Sequence, residues 1–172
     1  DLASWSDSGG FIEQVGEFRR TLLDEFDHPR PPVARALAQV LLLNGFGIEA
    51  ETLLATFGAN VPNRELLVDI ARVVDGRPVL ADGPIATSAP CHGMALLWRR
   101  AAGVPRSALE PTPAVWAEMS AAVASLPQSI REMTAAPLLS SLVDSGDVEQ
   151  AEQLNLILSR APVADTAALD LA

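Results

Sequence analysis

The side chains in this sequence that could carry out catalysis begin with an adjacent pair, Cys91 and His92. Together they could supply a nucleophile and its base, or two ligands for a metal ion. Successive residues on a helix point about 100° apart, so neighbours in sequence rarely meet each other. The sequence has one further histidine, His28, and no second cysteine. We therefore expect a structural or incidental role for this pair, and we expect no metal or other cofactor.

Acidic side chains cluster at 24–27 and at 144–152, and both groups have the spacing of solvated helix faces and caps. A general acid–base pair would instead need a cleft that shifts the pKa values of its carboxyl groups. The sequence also lacks the Walker loop and the G-x-G-x-x-G, H-E-x-x-H, G-x-S-x-G and EF-hand patterns. These observations disfavour an enzyme.

Arginines stand out because the chain is acidic, with 22 carboxylates against 12 basic residues and a net charge of −10. The four of interest are Arg35, Arg72, Arg99 and Arg100. Two interpretations are open for them: ion pairs with neighbouring acids on the surface, or contacts with a partner. The negative charge repels phosphate backbones, so we do not expect nucleic acid or an anionic membrane as a partner.

The element that organises the chain is a helical hairpin predicted over 31–62. Pro31 and Pro32 suit the first turn of a helix, where the backbone N–H groups have no partner. Asn44 and Gly45 form a typical helix end, because both residue types tolerate the left-handed conformation. Apolar residues recur at helical spacing on either side of this turn, at Leu37, Val40, Leu41, Ile48, Leu53, Leu54 and Phe57.

This hairpin resembles the tetratricopeptide family of helical repeats. That family has a small residue in the first helix, a glycine before the turn, an alanine early in the second helix, a large apolar residue four later, and a closing proline. The matching residues here are Ala38, Gly45, Ala50, Leu54 and Pro62. The aromatic residues usual in the first helix are replaced by Ala34 and Leu41.

The same pattern recurs near the C-terminus, so the resemblance is clearest at 31–62 and 138–162. Gly146 and Ala151 are spaced as Gly45 and Ala50 are, and the two glycines are separated by close to three repeats of about 34 residues. The middle of the chain matches loosely, because prolines follow Gly103 where a regular helix would begin.

The resemblance implies a concave groove, lined by the first helix of each pair, that receives peptides. Arg35 and Gln39 would face this groove, because they are offset from the buried stripe of their helix. The candidate binding residues are therefore Arg35, Gln39, Arg72 and Arg99. Trp98 and Trp116 fit core positions, with a ligand platform as the alternative.

Composition favours packed helices, since 49% of the residues are hydrophobic and these are mostly Ala, Leu and Val. We predict an all-α fold of about eight helices, arranged as antiparallel hairpins in a short, irregular α-solenoid. The first helix is expected over 11–26, and Pro137 marks either a kink or the start of a new helix. We expect a flexible lead-in at 1–10 that Trp5 anchors, one domain at 11–162, and a tail at 163–172.

These features predict a non-catalytic module for protein–protein interaction or scaffolding within a larger bacterial protein. Its partner would be a protein or peptide segment, or the remainder of its own chain. The alternative is a small helical hydrolase or ligand-binding protein with its site at 76–92, where the connection of about 14 residues is unusually long.

No apolar run reaches the ~18–20 residues of a membrane span, so we expect no membrane insertion. The single cysteine leaves bacterial cytoplasm and periplasm open, and a start at Asp1 fits a processed protein or an excised segment.

Overall fold

The computed structural model describes residue 5 and residues 10–89, 92–105 and 111–159. Nine helices and no strand lie within these residues, which confirms the all-α class for the described part of the chain. The helices are α1 Phe11–Thr21, α2 Pro31–Leu43, α3 Gly47–Phe57, α4 Arg64–Val74, α5 Pro84–Thr87, α6 Gly93–Ala101, α7 Pro113–Ser125, α8 Gln128–Asp144 and α9 Val148–Ser159. The predicted tail at 163–172 lies outside the described residues.

The first helix ends at Thr21, five residues before the predicted end at Phe26. Asp24 provides the reason, because its Oδ1 accepts hydrogen bonds from the N–H groups of Phe26 (2.8 Å) and His28 (2.9 Å). A short polar side chain that binds nearby N–H groups competes with the helix for them. The chain therefore folds back after α1, and Phe26 is 70% exposed despite its helical spacing.

Two further differences from the expected elements concern prolines and the long connection. Helix α8 continues past Pro137, so this proline does not start a new helix. The connection predicted at 76–90 contains the short helix α5, which begins at Pro84 and accounts for one helix more than the eight expected.

The two hairpins that share a sequence pattern also share a turn. Gly45 and Gly146 have φ values of +78° and +81°, a conformation that L side chains rarely adopt. In each turn the N–H of the residue after the glycine donates to the carbonyl five residues earlier, over 2.9 Å. Such a pattern closes a helix by the Schellman motif. Ala50 and Ala151, five residues after the glycines, are both buried in the helix that follows.

Helix α8 connects the two halves of the chain, of which the first contains α1 to α5 and the second contains α6 to α9. It contacts α6 and α9 in its own half, and also α2 and α4 from the first half. The buried side chains of both halves form one continuous core, and Trp5 packs against it as predicted. Within the described ranges, no helix is both long enough and apolar enough to cross a bilayer.

Candidate functional site

A cavity of about 390 Å³ opens between α2, α4, α5 and α6. Large apolar side chains form most of its wall, and Arg35, Asn63, Ser88 and His92 add polar groups. An apolar cavity with a few polar groups is the usual form of a binding site, and this volume lies in the usual range. We call it the Arg35 cavity; its apolar lining is Trp5, Leu66, Leu67, Ile70, Pro84, Ile85, Met94, Ala95 and Trp98.

Arg35 lies on α2 and is half-buried at the wall of this cavity. No ion pair or hydrogen bond joins its guanidinium to another residue in the described part of the chain. Every other buried or half-buried arginine of the described ranges donates to a carbonyl or a carboxylate; these are Arg64, Arg72, Arg77, Arg99, Arg100 and Arg131. Within the described ranges, Arg35 therefore offers a cation with no internal partner.

His92 lies at the same cavity, immediately before α6. Its Nδ1 accepts a hydrogen bond from the N–H of Ala95, over 3.2 Å. In the neutral ring an accepting Nδ1 carries no proton, so we infer that Nε2 holds the hydrogen. This cap therefore leaves Nε2–H as a donor, and it gives His92 a structural contact at the start of α6.

The short helix α5, which forms one wall of the cavity, is held at both ends by buried charges. At its start, Asp69 of α4 is fully buried and its Oδ2 accepts from the N–H of Ile85 over 2.9 Å. At its end, the Nη1 group of Arg99 donates to the carbonyls of Ile85, Ala86 and Ser88. An anion at the start of a helix and a cation at its end both match the helix dipole.

The four predicted binding residues do not converge on one surface. Arg35 lines the cavity, and Gln39 is half-buried one turn further along α2, outside the cavity lining. Arg72 instead pairs with Glu51 of α3 over 2.8 Å, and Arg99 is buried against the backbone of the α5 segment. Arg72 and Arg99 thus both have internal partners. The partner of Arg72 is a neighbouring acid, which agrees with the ion-pair interpretation, whereas the partners of Arg99 are backbone carbonyls.

Sequence reasoning overlooked several buried charges. Asp69 had a usable signal, because it is a single carboxylate inside the apolar run from Leu66 to Ala71. Arg100 and Asp147 form a buried ion pair over 2.7 Å that joins α6 to the turn before α9, and the guanidinium also lies 5.8 Å from the ring centroid of Trp116. No local sequence pattern predicts this ion pair, because its two residues are far apart in the sequence.

The Arg35 cavity differs from the other features of the described residues that could form a site. Among the described residues, no group of three or more His, Cys, Asp or Glu side chains is placed to hold a metal ion. Cys91 lies outside the described residues, so the structure does not place it relative to His92. A second cavity, of similar volume, lies where α4, α6 and α8 end, but its lining is mostly small Gly, Ala, Ser and Pro residues. The Arg35 cavity, in contrast, has a wall of aromatic and aliphatic side chains, and its Arg35 has no partner among the residues that the structure describes.

Comparison with known protein families, with curated proteins and with solved structures found no match to this chain.

Proposed function

We propose that this chain is a non-catalytic binding module, built from tetratricopeptide-like hairpins, that takes a segment of a partner protein into the Arg35 cavity. The observation that carries this proposal is Arg35 itself, a half-buried cation without a partner among the described residues at the edge of an apolar cavity. Charged side chains are rarely buried without a partner, because burial costs hydration. A bound segment would supply the missing partner.

The hairpins support the architectural part of the proposal. The turns at Gly45 and Gly146 have the same conformation and hydrogen bonds, and a buried alanine follows each at the same distance. Helix α2 is the first helix of its pair and carries Arg35, as the tetratricopeptide resemblance requires for a groove residue. The contact of α8 with α2 makes the arrangement more closed than an open solenoid, in which each repeat contacts only its neighbours.

The test is a selection of displayed 12-residue peptides on the purified chain, followed by fluorescence polarisation with the selected peptides. Ala95, a half-buried residue of the cavity wall on α6, is replaced by phenylalanine to fill the cavity. Ala117 is exposed on α7 and outside the cavity lining, so Ala117→Phe is the matched control. We expect Ala95→Phe to weaken binding at least tenfold and Ala117→Phe to leave it unchanged, with both variants retaining wild-type helicity by circular dichroism. The proposal is wrong if no peptide is selected or if both variants bind equally well.

Binding of a small molecule at the same cavity is the second candidate function. The volume of about 390 Å³ favours it, because sites for such ligands span roughly 300–1,000 Å³. Native mass spectrometry of the gently purified protein tests this candidate directly. A bound molecule that Ala95→Phe excludes would support it, and a spectrum of the protein mass alone would count against it.

A further inference from the structure

We propose that the segment bound by the Arg35 cavity presents an acidic side chain directly beside a large apolar one. This inference rests on the proposed function, and it specifies the chemistry of the partner. The apolar side chain would enter between Leu66, Met94 and Trp98, while the carboxylate would meet Arg35 at the wall.

The choice of an acid follows from the donors that the cavity offers. The guanidinium of Arg35 is a planar fork of N–H groups that matches the two oxygens of a carboxylate. His92 adds a second donor at the same cavity, because its Nδ1 is occupied by the N–H of Ala95. No carboxylate side chain contributes to the lining, so no anion among the described wall residues competes for these donors.

A carboxylate fits this cavity better than a phosphorylated side chain does. A phosphate group carries a charge of about −1.5 to −2 and is typically recognised by clusters of arginines. The cavity has one arginine, and the chain around it has a net charge of −10 that would repel a dianion more strongly than a single carboxylate.

The apolar half of the motif follows from the position of the wall residues. Trp98 is 4% exposed and Ile85 is 2% exposed, so the rear of the cavity belongs to the core, whereas Leu66 is 36% exposed at its mouth. A large apolar side chain that enters there removes the surface of Leu66 from water and strengthens binding by the hydrophobic effect. An acid without this neighbour would gain only an exposed and weak ion pair.

The test uses the peptides selected on the wild-type chain and measures their affinities by fluorescence polarisation. Each acidic residue next to an apolar one is changed to its amide, Glu to Gln or Asp to Asn. We expect the amide peptide to bind the wild-type chain at least about tenfold more weakly. Arg35→Glu should reverse the preference, so that a peptide with lysine in place of the acid binds this variant best.

Two controls keep the outcome specific. Arg20 is exposed on α1 and outside the cavity lining, so Arg20→Glu makes the same change in net charge and should leave the preference for the acid unchanged. Arg35→Gln keeps a long side chain without the charge, and it serves if Arg35→Glu lowers stability; it should bind the acid and amide peptides equally.

The outcomes separate this inference from the proposed function. If selected peptides bind and Ala95→Phe abolishes binding, but the acid and amide peptides bind alike, the function stands and the acidic motif is wrong. If Arg20→Glu changes the preference as much as Arg35→Glu does, long-range charge explains it and the assignment to Arg35 is overturned. If no peptide is selected at all, both proposals fail.

Discussion

At the scale of single residues, the buried charges of this chain hold the walls of the cavity in place. Asp69 is the most demanding of them, because it is fully buried and its Oδ1 has no hydrogen-bond partner among the described residues. Its other oxygen fixes the first turn of α5 through Ile85. Because one of its two oxygens has no partner among the described residues, the buried carboxylate of Asp69 adds little to the stability of the fold. Its main effect is to hold the α5 segment in place.

Replacing Asp69 separates these two effects. Asp69→Asn keeps an oxygen for the N–H of Ile85 and removes the buried charge, so we expect a change in the free energy of unfolding within about 1 kcal/mol. Asp69→Ala leaves that N–H buried and unpaired, and should cost about 1–3 kcal/mol. Urea unfolding followed by circular dichroism measures both values. Equal losses in the two variants would show that the hydrogen bond to α5 contributes nothing.

Glu51 gives the fold a dependence on pH. Burial alone would raise the pKa of Glu51, but hydrogen bonds and charge from Arg72 and Arg77 outweigh burial and hold this pKa below its ordinary 4.5. A carboxyl group with a lowered pKa in the folded state adds stability above its unfolded pKa and loses it as the pH falls through the folded value. The stabilisation from the ion pairs of Glu51 is therefore complete at neutral pH, declines as the pH falls below 4.5, and is lost as the pH falls through the lowered pKa of the folded state.

We expect Glu51→Gln to lower the free energy of unfolding at pH 7 by about 0.5–1 kcal/mol, since the carboxylate is partly exposed and screened by solvent. The difference between variant and wild type should shrink steadily as the pH falls below 4.5, because the wild-type carboxylate then becomes neutral too. Urea unfolding curves of both proteins between pH 7 and pH 3.5 test this. A difference that stayed constant over this range would assign the effect to packing.

At the scale of helices, a glycine allows α6 and α7 to approach closely, and no apolar periodicity predicts its position. Gly93 begins α6, and a Cβ at this position would overlap the backbone of Glu118 and Met119 in α7. The N–H of Gly93 also donates to Oε2 of Glu118 over 3.0 Å, so this carboxylate ties the start of α6 to α7.

Gly93→Ala should therefore push α6 and α7 apart and lower the free energy of unfolding by about 1–3 kcal/mol. Gly16→Ala is the matched control, because Gly16 lies within α1 and a Cβ there would meet nothing within 4 Å. Alanine is the better helix former, so the control should gain about 0.5–1 kcal/mol. Thermal unfolding of the two variants gives the comparison, and a loss in both would remove the steric explanation.

Elements with local signals were predictable from the sequence, and those that depend on distant contacts were not. The turn at Gly45 follows from its own residues, and so does the start of α2 at Pro31. The end of α1 was mispredicted because the side chain of Asp24 outweighs apolar spacing. The cavity was only partly predictable: Arg35 and the long connection were each singled out, but their meeting depends on how α4 packs against α2, α5 and α6.

At the scale of the whole molecule, the contacts of α8 with α2 and α4, together with those of α6 with α4 and α5, determine whether the hairpins unfold singly or together. In an open array each repeat can unfold with its own stability, because it contacts only its neighbours. Here α8 contacts α2, α4 and α6, and the buried side chains form one continuous core. This connection should make the two halves unfold as one unit, as small single domains usually do.

A substitution remote from Trp98 and Trp116 tests that unity, in a Trp5→Phe background because Trp5 lines the cavity beside α2 and α4 and would otherwise add a signal from the first half. Leu54 of α3 is fully buried, and its helix packs against α2 and α4 in the first half, whereas Trp98 and Trp116 lie on α6 and α7. We expect Leu54→Ala to cost about 2–5 kcal/mol, the usual range for removing a buried leucine side chain.

If the halves unfold together, the urea midpoint from tryptophan fluorescence shifts as far as the midpoint from circular dichroism. If they are independent, part of the helical signal is lost first while the fluorescence midpoint stays at its wild-type value. That second result would favour separately unfolding repeats, and it would mean that the contacts of α8 with the first half are too weak to couple the cavity wall on α2 to the wall on α6.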